Sequence, residues 1–227
     1  MYRDGMMQRT IARLRMDQED GVLVESTVML TILFIFTLGS VDFLMAMYQW
    51  GAATKAVQHG ARIASVSAPV DSTFPSITGM EGGVAVGTNP PATFTARACA
   101  GTNATSGTCT SGTYDVAAMN TIVYGRKRLG TCTVSGSYCA GMNDMFYRVK
   151  PENVRITYSY SGIGFAGRPY VQVPSIEVTL INLPFQFYFI GWLFPARNIH
   201  PVATAMGEDL CSQSSSCTIL GWTTAGG

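Results

Sequence analysis

Residues 19–66 read EDGVLVESTVMLTILFIFTLGSVDFLMAMYQWGAATKAVQHGARIASV, and this stretch decides the fold. From Val28 to Met47 the only polar side chains are Thr31, Thr37, Ser40 and Asp42. As a helix this run is about 30 Å long, the thickness of a bilayer's hydrocarbon core. A secretory signal would carry a shorter apolar region, roughly 7–15 residues, followed by a small-x-small cleavage site. Here the helical pattern continues past the apolar run, so the expectation is a retained single-span anchor. No proline occurs before Pro69, and alanine, the best helix former, dominates after Trp50. The sequence therefore predicts one helix from about Gly21 to Ser67. Ala52, Ala56, Gly60 and Ala64 recur every fourth residue and make a stripe of small side chains that lets another backbone approach closely. That stripe suits packing against the chain's own globular part, against neighbouring subunits, or both. Asp42 falls in the outer half of the span, where a carboxylate is costly and calls for a partner, a reach to the interface, or a proton.

Composition narrows the class. The chain has 227 residues, a length for one or two domains. Only 13% are charged and 47% are hydrophobic, which excludes a disordered chain. A net charge of +1 provides no basic field for nucleic acid. Arg3, Arg9, Arg13 and Arg15 precede the apolar run, against Lys55 and Arg62 in the stretch just after it. By the positive-inside rule the N-terminus is cytoplasmic and the remainder lies outside. All six cysteines come after residue 98, as close neighbours Cys99/Cys109, Cys132/Cys139 and Cys211/Cys217. There is no C-x-x-C, and His59 and His200 are isolated, so disulfides in an oxidising compartment are expected and a metal site is not. Six cysteines allow 15 connectivities, so neighbour pairing is a preference.

The part beyond the helix, residues 68–227, reads as an α+β domain. Residues 69–113 are rich in Ser, Thr, Gly and Pro and read as loop, closed by Cys99 and Cys109. Asn103-Ala-Thr105 within it fits a glycosylation sequon, an indication of surface loop. Asp115 would cap a helix running to Gly130, with Arg126-Lys127-Arg128 at its end. Thr131–Ser135, Asn153–Tyr160, Gln172–Leu183 and Pro201–Met206 carry strand signals, two of them with clean alternation. They predict a small antiparallel sheet of three or four strands, one face buried under the outer half of the long helix. Leu183–Phe194, LPFQFYFIGWLF, is the second most apolar segment and is too short to span as a helix. It reads either as core filling or as an aromatic patch resting on the outer leaflet or a partner.

Residues 19–66 resemble the N-terminus of TadE-like proteins, the minor pseudopilins of tight-adherence (Flp-type) pili. That family shows an Arg-rich leader, a Gly, a Glu about five residues on, a long apolar helix and an Ala/Gly/Arg continuation. Gly21, Val22, Glu25, Ala61 and Arg62 carry the match, with a weaker echo in IEVTLINLPF and PVATAMGED. The resemblance implies a pilin-like outer domain on a bacterial inner-membrane anchor, with the outer domain periplasmic or extracellular. It also implies cleavage after the Gly by a prepilin peptidase, and partners among membrane lipid, other pilins and pilus-assembly subunits. The Glu would then neutralise the free amine of a neighbouring subunit within lipid. Glu25 is fourth after Gly21, where the family usually has the fifth position. The alternative is thus an uncleaved single-span accessory subunit of a larger membrane complex.

Enzyme signatures are weak. Gly162-Ile-Gly164-Phe-Ala-Gly167 spells G-x-G-x-x-G, but it lies between two strands and is followed by Arg168-Pro169. No G-x-S-x-G or H-E-x-x-H occurs, neither His sits in a triad setting, and Glu208-Asp209 read as a solvated turn. The expectation is a structural or assembly protein with no catalytic, cofactor or metal residues. Its segments would be a cytoplasmic leader at 1–20, a transmembrane and extended helix at 21–67, and a disulfide-containing outer domain at 68–227.

Overall fold

A computed structural model describes residues 3–77, 80, 83–89, 95–126, 139–167, 173–189, 191, 197–207 and 210, with residues 3–20 as backbone only. The chain divides into two compact units, Met1–Met47 with Gln186–Pro195, and Tyr48–Phe185 with Ala196–Gly227. Helix α1 runs from Arg3 to Ser65. It therefore starts well before Gly21, because no proline interrupts the leader and a single interior glycine costs a helix only about 1 kcal/mol. At the other end it stops two residues short of Ser67, with Val66 N–H closing a tight turn on Ile63 C=O at 3.2 Å.

In the second unit, five strands form one antiparallel sheet in the order β2-β1-β3-β4-β5. Their spans are β1 Arg97–Asn103, β2 Ser106–Cys109, β3 Val154–Ile163, β4 Val173–Leu180 and β5 Val202–Met206. Alternation sets the buried face. Val154, Ile156 and Tyr158 lie opposite Leu180, Val178 and Ile176, and all six are buried. Cys99 lies opposite Ile156 and extends that face into β1. The intervening Arg155, Thr157, Glu177 and Thr179 take the other face, as a one-sided antiparallel sheet requires. A register shift between Tyr160 and Ile163 marks a bulge near the end of β3.

The sheet is larger than the three or four strands predicted, because the stretch read as loop contains a hairpin. Cys99 and Cys109 face each other directly across β1 and β2 and are joined by a disulfide. Asn103 Oδ1 accepts from Thr105 N–H at 2.8 Å and so shapes the reversal between the strands. The side chains here are small for a reason. Gly101 lies against the backbone of Pro151, and Gly107 against the Tyr114 ring, with no room for a Cβ at either.

Helix α2 spans Val116–Tyr124 and is capped by Asp115, whose Oδ1 accepts from Ala117 N–H at 2.8 Å and Ala118 N–H at 3.1 Å. It ends earlier than the predicted Gly130. Gly125 takes a φ of 72°, a left-handed value that favours glycine and terminates the helix. The expected strand at 131–135 lies outside the described residues. A four-residue turn of helix, α3 at Met142–Met145, follows.

The core of this unit is shared by helix and sheet. Ala53, Ala56, Val57, Ala61 and Ala64 of α1 belong to one buried cluster with Met119, Ile122, Met142, Ile156, Tyr158, Ile176 and Val178. The chain leaving α1 is pinned at once. Val70 N–H donates to Tyr158 Oη at 2.9 Å, and the Phe74 ring packs on the Tyr158 ring at 5.0 Å. Buried Asp71 accepts from Arg97 Nη1 at 2.8 Å and from Thr73 Oγ1 at 2.7 Å, which ties this segment to β1.

Candidate membrane-anchor site

The apolar stretch of α1 is long and hydrophobic enough to cross a membrane, with a mean hydropathy of 2.1 over its best window. Its apolar side chains, from Val22 to Met47, are largely exposed. The polar ones are satisfied locally. Ser26 and Thr27 donate to Leu23 C=O, Thr31 to Thr27 C=O, Thr37 to Phe34 C=O and Ser40 to Phe36 C=O, at 2.7–3.0 Å. A helix whose hydroxyls bond back to its own carbonyls presents little unsatisfied polarity to lipid.

Two carboxylates remain. Glu25 is exposed among Val22, Leu23 and Val24, and it has no hydrogen-bond or ion-pair partner among the described residues. Gly21 and Val22 are exposed on the same helical stretch, and the space where a Cβ would sit on Gly21 is open. Asp42 is the opposite case. It is 0% exposed, its Oδ1 accepts from Tyr188 N–H and its Oδ2 from Phe189 N–H, both at 2.9 Å. The apolar Leu183–Phe194 segment thus supplies partners for Asp42, a pairing across 146 positions that no local pattern announces.

Within the second unit, the continuation of α1 is gripped at several points. Arg148 donates from Nη1 to Gln49 Oε1 at 2.9 Å and from Nη2 to Pro184 C=O at 2.8 Å. Trp50 stacks on Phe185 with ring centroids 6.4 Å apart. His59 Nε2 is 2.9 Å from Ala140 O. Of the small-residue stripe, Ala56, Gly60 and Ala64 are buried and Ala52 is half-buried. A Cβ on Gly60 would stand 2.5 Å from Sδ of the buried Met142, so this face is occupied from within the chain. Neither Gln49 nor Arg148 stood out in the sequence, since a lone amide and a lone arginine carry no spacing signal.

Of the six cysteines, Cys99 and Cys109 are bonded to each other and Cys139 is disulfide-bonded. Cys132, Cys211 and Cys217 lie outside the described residues, as do Glu208 and Asp209. His200 Nδ1 is 3.1 Å from Leu180 O. Among the described residues no group of three or more His, Cys, Asp or Glu side chains is placed to hold a metal ion.

Residues 21–62 match the model of the family described as TadE-like protein. The matched segment opens at Gly21 and takes in Glu25, Asp42, Ala52, Ala56 and Gly60. No curated protein and no solved structure matches the chain.

Proposed function

We propose that this chain is a minor pseudopilin of the tight-adherence pilus type. In this reading residues 1–20 stay cytoplasmic, α1 crosses the inner membrane once, and the disulfide-bonded α+β unit lies outside. The observation that carries the reading is Glu25. It lies exposed in an apolar helix, without a partner among the described residues, inside the segment that matches the TadE-like model. A carboxylate in hydrocarbon needs a counter-charge, and a free amine on a neighbouring subunit's trimmed N-terminus supplies one. Cleavage after Gly21 would expose such an amine on Val22. Partners are then membrane lipid, other pilins or pilus-assembly subunits, and a prepilin peptidase.

N-terminal sequencing of protein taken from its native membrane tests this directly. A chain beginning at Val22 is the expected result, and a chain beginning at Met1 overturns processing. The second reading, an uncleaved accessory subunit, draws on the unbroken run of α1 from Arg3 through Gly21 and on the fourth-position glutamate.

A further inference from the structure

We propose that the aromatic segment Gln186–Phe189 is a lipid-embedded wedge, clasped to the anchor helix by Asp42 and seated in the acyl chains of the outer leaflet. The inference rests on the anchor reading above and adds a second point of membrane contact far along the chain. Asp42 lies five positions before Met47, so it is about 7–8 Å inside the end of the apolar run. The backbone of Tyr188 and Phe189, bonded to its carboxylate, lies at that same depth.

Irregular backbone is excluded from hydrocarbon because its amides go unsatisfied, and a lone carboxylate is excluded because it loses its hydration. At Tyr188 and Phe189 the two costs offset each other. Two consecutive N–H groups donate to the two oxygens of one side chain, one to each at 2.9 Å. The clasp is buried, while the side chains around it face outward. Tyr188 is 61% exposed and Phe189 48%, beside Phe43 at 64% and Leu44 at 66% on the helix. The exposed rings therefore continue the apolar band of the anchor. Lipid is the occupant that such a band already faces. Tyrosine suits this depth, since its ring is apolar and its hydroxyl can reach toward the headgroups. With both oxygens engaged by this chain's own amides, Asp42 is a positioning residue for the wedge.

The test uses the full-length protein reconstituted at low density in phosphatidylethanolamine/phosphatidylglycerol vesicles. One variant carries photoreactive p-benzoylphenylalanine in place of Phe43 and another carries it in place of Tyr188. Adducts are identified by mass spectrometry after illumination. Phospholipid adducts at both positions are expected. Lipid adducts at 43 without any at 188 overturn the wedge and leave the anchor standing. Absence of lipid at 43 overturns the anchor, and adducts from 188 to a second copy of the chain overturn lipid as the occupant. In an Asp42→Leu background the lipid adduct at 188 should be largely lost while that at 43 persists. An unchanged yield at 188 there overturns the clasp, and resistance to alkaline carbonate confirms that this variant is still inserted.

Discussion

Tyr158 shows how a single side chain can hold a fold's joints together. Its hydroxyl accepts the Val70 N–H just beyond α1, and its ring meets Phe74. Tyr158→Phe leaves that amide buried without an acceptor and should cost about 1–3 kcal/mol, read from urea unfolding of the detergent-solubilised protein. Burial, reinforced by Asp71 and Asp115 and opposed by the Val70 amide, pushes the Tyr158 hydroxyl well above its usual range. Burial and then Asp115 push Tyr114 to about 12. Both groups are therefore protonated more firmly in the folded chain than in the unfolded one, whose reference value is 10.0. The stability this contributes is whole below about pH 10 and falls as pH rises through the folded values. Urea midpoints should drop steadily above pH 10, and Tyr158→Phe should make that decline shallower. Gly60 is the second sensitive position. Gly60→Leu drives a side chain into Met142 and should destabilise the second unit by about 1–3 kcal/mol in the same assay. Unchanged unfolding would mean that Met142 can move aside.

Among the elements, the hairpin β1–β2 is the one that composition hides. Arg-Ala-Cys-Ala-Gly-Thr-Asn has small, turn-prone side chains, so local propensity argues for loop. What makes it a strand is non-local, namely pairing with β3 and a crosslink between directly opposed cysteines. Cys99→Ser should lower the stability of the second unit by about 2–4 kcal/mol, measured by unfolding under non-reducing conditions. A stability matching that of the unmodified chain would show the crosslink to be dispensable. β3 and β4 were legible because each alternates, the long helix because an apolar run passes into an alanine-rich stretch with no proline, and Asp115 announced α2 as a cap. The end of α2 was not legible, since the left-handed φ by which Gly125 ends it is a feature of the folded backbone and leaves no separate mark in the sequence. The partners of Asp42 and Gln49 were equally hidden, because hydrogen bonds across long sequence separations leave no local trace.

For the whole molecule, the division of labour follows polarity. One unit carries exposed apolar residues with hydroxyls folded back on the helix, and the other carries the alternating sheet and the shared core. On the proposed function, Glu25 is the residue of the first unit that meets a neighbouring subunit. Glu25→Leu should leave membrane insertion intact, as judged by resistance to alkaline carbonate, and abolish co-purification with other pilus subunits. Persistent co-purification would remove this glutamate from assembly. The crosslinked hairpin adds a temporal order. The helix can enter the bilayer as soon as it is made, but the bond between Cys99 and Cys109 has to wait for an electron acceptor. On the proposed topology that acceptor lies on the far side, so maturation of the sheet depends on the cell's thiol-oxidising machinery. A strain lacking that machinery would insert the protein normally and then lose its exported portion to proteolysis.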